Sequence, residues 1–442
     1  MAAMVVLGAQ WGDEGKGKLT DILVGSNVTL CCRAAGGNNA GHTIVANDIK
    51  YDFHILPSGL IVPHCRNLIG SGCVVHIKSF FAELRALKEK GLSTEGRIFI
   101  SSRSHVVFDL HQRVDGLEEQ ELGKQKVGTT GKGIGPCYST KGARSGIRIG
   151  ELVNDKEDTD RRLRNMARGF QKRYGDLLKY DVEEEIQQCD AYREQVRPFV
   201  VDAVDMVVEA QDKGEKMLVE GANALLLDID YGTYPYVTSS GTGLAGVFSG
   251  LGGLRRKYIE NVVGVVKAYS TRVGSGPFPT ECLNADGTEN ETGRKLQEIG
   301  KEFGVTTGRR RRTGWLDGVA LRFSCAINQY DALNISKLDI LDTFPEIKCA
   351  TAYHLVDHAG KRVETLPSFP ADLGLLTGTS SRGRIEVEYK SFAGWQTSIE
   401  GITKWEDLPQ KAKEYVEWIE AWCKTPVKYI GTGVKREDII VR

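Results

Sequence analysis

A glycine-rich segment near the start of the chain combines an anion-binding pattern with a carboxylate. Residues 12–18 read Gly-Asp-Glu-Gly-Lys-Gly-Lys, which fits the G-x-x-x-x-G-K pattern of phosphate-binding loops, although Leu19 stands where Ser or Thr is usual. Backbone N–H groups in such a loop, together with a following helix, bind phosphate. Asp13 would be repelled by phosphate oxygens unless it binds Mg²⁺ or performs acid–base chemistry. We therefore predict a functional carboxylate at Asp13, with helix capping as the alternative.

Three other segments carry residues suited to anion chemistry. Residues 36–43 are glycine-rich and include His42, which could act as a general acid or donate to a developing oxyanion, with a structural histidine as the alternative. Residues 128–136 indicate a second anion-binding loop or, alternatively, a surface turn. Residues 309–312 are four consecutive arginines that lie inside the chain rather than in a tail. That placement favours bidentate binding of small anions over a nucleic-acid or localisation tag.

Two nucleotide motifs occur further along the chain. Lys337 and Asp339 form a Lys-x-Asp directly after an apolar run. An Asp in this setting accepts from the guanine ring N–H and amine, donors that adenine lacks, so the motif favours GTP over ATP. Residues 241–246 match G-x-G-x-x-G, but the preceding residues 236–240 follow Pro235 and end in Ser-Ser, a poor first strand for a dinucleotide fold. An NAD-dependent oxidoreductase is thus a weaker alternative.

The positions of these motifs indicate the elements that carry them. Short apolar, β-branched runs end in glycine-rich segments at residues 4–7, 28–32, 67–69, 217–219, 262–269, 334–341 and 427–430. A strand followed by a glycine-rich loop and a helix is typical of a mostly parallel sheet, whose ligands bind beyond the carboxyl ends of the strands. We predict an α/β fold with a large, mostly parallel central sheet, a P-loop-like NTP site and a helical insertion around 154–216. One domain over residues 1–442 is expected, because no linker divides the chain.

Composition narrows the class of protein and its location. The 58 Lys and Arg residues balance 58 Asp and Glu residues, which argues against a broadly basic nucleic-acid binder. The ten cysteines are dispersed without CxxC spacing, as in a reducing compartment. No targeting pattern and no membrane-spanning apolar run is found in the sequence, so we expect a cytoplasmic location. The 51 glycines exceed the roughly 31 expected of an average chain, and we attribute the surplus to backbone that approaches phosphates and a purine.

Several of these blocks occur together and in order, which identifies a family resemblance. The segments GAQWGDEGKGK, GGNNAGHT, GTTGKGIGP, KAYSTRVGSGPFPTE, TTGRRRRTGWLD and SKLDIL resemble those of the adenylosuccinate synthetase family, over about residues 4–433. The resemblance implies a ligase that joins IMP to L-aspartate at the expense of GTP, through 6-phosphoryl-IMP, with release of GDP and phosphate. This reaction leads from IMP towards AMP.

The resemblance also assigns roles to individual residues. Catalysis is implied for Asp13, His42 and Lys16, and Mg²⁺ binding for Asp13 and the Gly41 carbonyl. Contacts to GTP are implied for Gly12, Glu14, Gly15, Gly17, Lys18, Gly41, Thr43, Arg311, Lys337, Leu338, Asp339, Gly431, Thr432 and Gly433. Contacts to IMP are implied for Asp13, Asn39, Thr130, Arg144, Asn223, Thr238 and Arg309. Contacts to aspartate are implied for Val305, Thr306, Thr307, Arg309 and Arg311.

The family is a homodimer, so the resemblance implies that Arg144 completes the IMP site of the partner subunit. Two positions depart from the family pattern. Asn38 stands where many members carry His, and Asn223 stands where many carry Gln. Asn223 is one methylene shorter, which puts its direct contact with IMP in doubt. A GTP-driven switch is a further alternative, but it gives the arginine run and residues 36–43 no role.

Overall fold

The computed structural model describes residues 3–25, 27–39, 41–46, 49–123, 126–304 and 308–442. The fold is α/β with a large, mostly parallel sheet, as the sequence predicts. The strands are β1 Ala3–Gly8, β2 Leu30–Gly36, β3 His42–Ala46, β4 Ile49–Phe53, β5 Arg66–Val75, β6 Ile98–Ser101, β7 His105–Val106, β8 Val200–Val201, β9 Met217–Glu220, β10 Ile259–Lys267, β11 Ser270–Arg272, β12 Arg312–Gly314, β13 Leu316–Asp317, β14 Ala332–Ser336, β15 Glu346–Val356, β16 Arg362–Thr365, β17 Arg384–Ala393, β18 Val427–Gly431 and β19 Ile439–Val441. The helices are α1 Lys16–Val24, α2 Ile77–Glu89, α3 Asp109–Leu122, α4 Ile134–Gly142, α5 Ile149–Asn154, α6 Lys156–Tyr174, α7 Val182–Val196, α8 Ala203–Asp212, α9 Leu244–Leu251, α10 Glu291–Ile299, α11 Gly318–Asn328, α12 Leu373–Thr377 and α13 Gln410–Cys423.

The chain folds into two compact units. The first contains the described residues within 1–5, 20–222 and 238–260, and the second those within 6–19, 223–237 and 261–442. Each unit is assembled from separate stretches of sequence, so a single cut of the chain would not divide them. Among the described residues, no helix is both long and apolar enough to cross a membrane.

The first unit is built on parallel strands in the order β9-β2-β5-β6-β8. Side chains of α2, α6 and α7 share one buried core with these strands, including Phe80, Ile100, Leu163 and Ile186. The charged stretch around 154–216 forms α6, α7 and α8, joined by short 3-10 turns and by β8. Its apolar residues recur at helical spacing, and burying that stripe stabilises the three helices.

The second unit contains the parallel strands β10, β14 and β18, with β19 antiparallel at the edge. Lys267 at the end of β10 is paired in register with Ser336 at the end of β14, so these strands end together. A second sheet joins β13, β15, β16 and β17. Its core includes Trp11, Phe278 and Tyr353. The common carboxyl edge of β10, β14 and β18 is where ligands of parallel sheets bind.

Some glycines have a packing role that the sequence does not reveal. A Cβ on Gly250 of α9 would lie 2.0 Å from the Ala34 carbonyl oxygen, and one on Gly72 of β5 would lie 2.2 Å from the same atom. The strand β5 therefore runs through the glycines that the sequence assigns to a loop after residue 69. The surplus of glycine thus comes partly from close helix–strand packing, and attributing all of it to ligand contact was wrong.

Candidate active site

The segment between β1 and α1, named the phosphate loop here after its sequence pattern, is a tight loop braced by its own carboxylate. The buried Glu14 accepts hydrogen bonds from the backbone N–H of Gln10 at 3.2 Å and of Gly12 at 2.8 Å. Its other oxygen pairs with Lys16 Nζ at 2.8 Å. Gly12 and Gly15 adopt φ angles of 91° and 87°, which favour glycine and allow the chain to reverse. Glu14 thus shapes the loop from inside, and its contact with GTP stays a prediction.

Helix α1 begins at Lys16 directly after this loop, and Gly17 is its second residue. Lys18 donates from Nζ to the carbonyls of Gly433 at 2.9 Å and Asp438 at 2.8 Å. Burial lowers the pKa of Lys18 below its usual range. Lys18 therefore ties α1 to the glycine segment after β18. Lys16, by contrast, has its ammonium group at the loop itself, beside Glu14.

Asp13 is held by the arginine run. Its Oδ2 accepts a hydrogen bond from Arg311 Nε at 2.7 Å, although the two residues are 298 positions apart. The Asp13 side chain is 36% exposed and that of Arg311 is 10% exposed, so the pair is partly shielded from water. Arg311 already occupies one carboxylate oxygen of Asp13. An anion that draws Arg311 away would therefore make that oxygen accessible to a substrate.

Alternate arginines of the run have different partners. Two are neutralised by carboxylates of their own chain: Arg310 by Glu289 and Arg312 by Glu281. Arg309 is exposed, and Arg311 binds the phosphate loop as described. Arg309 and Arg311 are the two that the resemblance assigns to substrates.

The Lys-x-Asp motif follows β14 as predicted. Lys337 has a left-handed φ of 57°, and its Nζ donates to the Gly300 carbonyl at 2.8 Å and to Glu302 Oε1 at 2.6 Å. Asp339 is the second residue of the 3-10 turn Leu338–Leu341, and its Oδ1 is buried without a hydrogen-bond partner. Burial raises the pKa of Asp339 to about 6. A buried acceptor without a donor is costly, so this oxygen is suited to a ligand that brings N–H groups.

The segment after β18 borders this motif. A Cβ on Gly431 would lie 3.4 Å from Ser336 Cα and 3.5 Å from the Lys337 nitrogen, so the two strand ends are adjacent. Thr432 is fully buried and donates to the Ile402 carbonyl at 2.8 Å. Leu338 is also fully buried. The residues assigned to guanine therefore share one edge of the second unit with the phosphate loop.

His42 lies in the first unit at the start of β3 and is oriented by a chain of polar groups. Its Nε2 is 2.5 Å from Ser58 Oγ, and Ser58 donates to Glu220 Oε2 at 2.5 Å. A carboxylate accepts only, so the Ser58 hydroxyl proton points to Glu220 and Ser58 Oγ accepts from His42 Nε2–H. Arg33 Nε lies 3.9 Å from the buried Glu220. This chain fixes which ring nitrogen of His42 carries the proton.

The remaining residues predicted for the first unit are Asn39, Gly41, Thr43, Thr130, Arg144 and Thr238. Asn39 Oδ1 is buried without a hydrogen-bond partner. The same holds for Oδ1 of Asn38, the residue that stands where many family members carry His. Arg144 is exposed after α4, with a φ of 64°. Thr238 is half-buried, and its contact with IMP stays a prediction.

The loop predicted to bind a second anion already binds a carboxylate of this chain. Glu119 accepts from the backbone N–H of Val127, Gly128 and Thr129 at 3.2, 3.0 and 3.4 Å. An anion would have to displace Glu119 to reach these amides. The surface-turn alternative describes this part of the loop better, and Thr130 is exposed beside it.

The predictions for Val305, Thr306 and Thr307 lie outside the described residues. Asn223 has a left-handed φ of 57°, and its Nδ2 is buried without a partner. This donor matches a contact with a ligand despite the shorter side chain, and the contact stays a prediction.

Sequence reasoning missed several polar residues behind the site. Ser58 and Glu220 support His42, and Lys267 and Glu302 lie behind Lys337. The available signal was a charged residue at the end of an apolar strand, as in MLVE of β9 and VVGVVK of β10. Such residues are rarely buried unless they are paired.

Comparison with known proteins adds to this geometry. The family model described as adenylosuccinate synthetase matches residues 5–440. The chain belongs to the adenylosuccinate synthetase family. Adenylosuccinate synthetases of Sordaria macrospora and Neurospora crassa are each 58% identical over 441 residues, covering 100% of this chain and 98% of theirs. The solved structure of the fully ligated enzyme from Plasmodium falciparum is 40% identical, with a TM-score of 0.90 and complete coverage of both chains.

The activity of the chain follows from this membership. The enzyme is a GTP-dependent ligase that joins IMP to L-aspartate and forms adenylosuccinate in purine nucleotide biosynthesis. The sequence prediction of this function is confirmed, and the alternatives of a GTP-driven switch and an NAD-dependent oxidoreductase are set aside.

Proposed function

We propose that the residues identified from the sequence perform this ligation in the roles that the resemblance implies. The observation that carries the proposal is the edge of the second unit. It brings together the phosphate loop with Asp13, the arginine run and the Lys337–Asp339 motif, in one compact body. Residues 1–442 act as one catalytic domain in this proposal, and the buried, free state of all ten cysteines supports a cytoplasmic location.

The first step transfers a phosphoryl group from GTP to IMP. Asp13 removes the proton from the purine ring nitrogen, and the purine oxygen attacks the γ-phosphorus as the bond to the GDP oxygen breaks. His42, whose Nε2–H is held by Ser58, is protonated at Nδ1 as well in this step and donates from there to the transferring group or to the leaving oxygen. Lys16 and the loop amides of Gly15 and Gly17 stabilise the developing charge, since positioning and electrostatics dominate such transfers. GDP and 6-phosphoryl-IMP result.

The second step replaces phosphate by aspartate. The aspartate amine attacks purine C6, phosphate departs with the bonding electrons, and the amine loses a proton. Phosphate is a far better leaving group than the original purine oxygen. Arg309 and Arg311, with residues 305–307, hold the aspartate carboxylates, and Asn39, Thr130, Asn223 and Thr238 contact IMP. When Arg311 turns to a substrate carboxylate, it releases the Asp13 oxygen that it binds in the structure.

Asp13 and the Gly41 carbonyl would hold Mg²⁺. Both offer oxygen, the donor that Mg²⁺ prefers, and this ion is commonly bound by one or two carboxylates plus substrate phosphates. The partly exposed Asp13 carboxylate beside a phosphate loop fits that donor set. When bound, Mg²⁺ neutralises charge on the transferring phosphoryl group.

The intermediate can be tested by isotope exchange. GTP labelled with ¹⁸O in the bridge between the β- and γ-phosphorus atoms is incubated with enzyme, Mg²⁺ and IMP, without aspartate. Reversible phosphoryl transfer should move the label into non-bridging β-oxygens, as measured by ³¹P NMR, and Asp13→Asn should abolish the exchange while the protein stays folded. Exchange that proceeds without IMP would contradict 6-phosphoryl-IMP.

We also propose a homodimer in which Arg144 reaches the IMP site of the partner subunit. The exposed position of Arg144 at the end of α4 supports this role. Arg144→Leu should lose activity, and mixing it with the folded Asp13→Ala variant should restore part of it in heterodimers. Mixed dimers without activity would refute the shared site.

A further inference from the structure

One buried carboxylate in the second unit joins two of the predicted substrate sites. Glu302 is 3% exposed, and Oε1 accepts from Lys337 Nζ at 2.6 Å and from the Tyr269 hydroxyl at 2.5 Å. Its Oε2 accepts from Lys267 Nζ at 2.8 Å. No pattern in the sequence singles out this residue.

Two lysines hold the Glu302 carboxylate in place. Lys267 is 1% exposed and donates also to Thr271 Oγ1 at 2.8 Å. Burial alone would raise the pKa of Glu302, but Lys267 and Lys337 outweigh it and bring the value to about 2. Buried charges persist only when they are paired, so removing the Glu302 carboxylate would leave the buried Lys267 ammonium without its ion-pair partner.

The backbone of Glu302 leads directly to the arginine run. Its carbonyl accepts from the backbone N–H of Arg311 at 2.9 Å, and the Gly304 N–H donates to the Arg309 carbonyl at 2.8 Å. Arg311 in turn binds Asp13 at 2.7 Å. A continuous set of bonds therefore runs from the guanine motif through Glu302 to the residues assigned to aspartate and to the catalytic base.

A second branch leads to the phosphate loop. The side chain of Gln10 accepts from the backbone N–H of Lys267 at 2.9 Å and donates to the Tyr269 carbonyl at 3.0 Å. The lysine that neutralises Glu302 is thus fixed to the loop that contains Asp13. Displacing Lys337 would disturb both branches, because they meet at one carboxylate.

We propose that Glu302 is a positioning residue that couples occupancy of the guanine site to the placement of Arg311 for aspartate. Bound guanine holds the stem of Lys337 in place, Lys337 fixes Glu302, and Glu302 fixes the backbone at Arg311. By linkage, dicarboxylate binding at Arg311 must strengthen guanine nucleotide binding by the same factor. The inference rests on the proposed roles of Lys337 and Arg311.

The test measures the Kd of GDP by calorimetry with Mg²⁺ and saturating IMP present, first without and then with saturating succinate. Succinate is a four-carbon dicarboxylate that lacks the reacting amine. In the unmodified enzyme the Kd should fall by on the order of tenfold, within the usual coupling range of about 5- to 150-fold. In Glu302→Gln the two Kd values should agree to within about twofold, because the neutral amide no longer holds both lysines.

The matched control is Glu281→Gln. Glu281 also supports the arginine run, through Arg312 at 2.7 Å, and this variant should keep the coupling factor of the unmodified enzyme. A folded Glu302→Gln variant that keeps the full factor would overturn the proposal, as would equal Kd values in the unmodified enzyme. Loss of coupling in Glu281→Gln as well would also overturn it, by showing a general loosening of the run.

Two further variants keep the test decisive. If Glu302→Gln lacks a cooperative thermal transition, it is replaced by Tyr269→Phe, which removes one hydroxyl contact to Glu302. This variant should reduce the coupling factor between the two ligands. An unchanged coupling factor would overturn the proposal. Asp339→Asn examines the guanine site itself. If that variant binds GDP as tightly as the unmodified enzyme, the proposed reading of guanine fails, whereas the coupling factor is judged from the Glu302 variants.

Discussion

Replacing Asp339 by Asn should change which purine the enzyme uses. In the structure Asp339 Oδ1 is buried without a hydrogen-bond partner, and a carboxylate there would accept from the guanine ring N–H and the 2-amino group. The amide in the Asp339→Asn variant replaces one acceptor oxygen by an N–H donor. It would therefore meet one guanine N–H with an N–H of its own.

The size of the effect follows from the bond that is lost. A hydrogen bond to a charged group contributes about 1.5–3 kcal/mol. At about 1.4 kcal/mol for each factor of ten, kcat/KM for GTP should fall roughly 10- to 150-fold. Xanthosine triphosphate carries oxygen in place of the 2-amino group, so the new amide N–H has an acceptor and kcat/KM for that nucleotide should rise.

The assay compares initial rates with the two nucleotides at saturating IMP and aspartate. Asp342→Asn is the matched control, because the Asp342 carboxylate is already bound by Trp395 Nε1 at 2.7 Å and by the Ile399 N–H at 3.0 Å. Its nucleotide preference should not change. Unaltered preference in Asp339→Asn, with the protein folded, would refute the assignment of this residue to guanine.

The pH dependence of the KM for GTP is a second measurement of the same assignment. Burial raises the pKa of Asp339 to about 6 in the enzyme without nucleotide. The protonated carboxyl accepts fewer N–H donors, so a proton competes with guanine as the pH falls through about 6. The KM should therefore rise below that pH and level off above it, and Asp339→Asn should remove the rise.

Three other predictions concern the residues that support His42, the packing of helix glycines and the pH dependence of folding stability. Glu220→Gln should lower kcat about tenfold with little change in KM, as measured by steady-state kinetics. General acid catalysis contributes about 100- to 10,000-fold to the rate, and in this variant His42 loses only its alignment. An unchanged kcat would refute the supporting role of Glu220. Gly250→Ala should cost about 1–3 kcal/mol in urea unfolding through overpacking, whereas Gly169→Ala, with open space around it in α6, should gain about 0.5–1 kcal/mol. Burial raises the pKa of Asp317 to about 6, so the folded state binds its proton more tightly than the unfolded chain. Its contribution to stability should be lost as the pH rises from about 4 through 6, and Asp317→Asn should remove that dependence.

The fold class could be predicted because its signals are local. Apolar runs followed by glycine gave the positions of β1, β2, β9, β10 and β18, and the spacing of apolar residues around 154–216 gave helices. The strand β5 was predicted too short. Glycine usually ends a strand in sequence-based reasoning, but here it admits α9 against the sheet, and that neighbour is distant in sequence.

What the sequence determined by itself was the set of reacting groups: the phosphate loop with Asp13, the histidine in a glycine-rich segment, the arginine run and the Lys-x-Asp motif. Each is a short pattern whose chemistry depends on residue type and spacing. Only the tertiary structure decided their partners, such as Arg311 for Asp13, Ser58 for His42 and Glu302 for Lys337. These pairs form because burial makes an unpaired charge or hydrogen-bonding group costly, and which group satisfies it depends on the strands that the fold brings together.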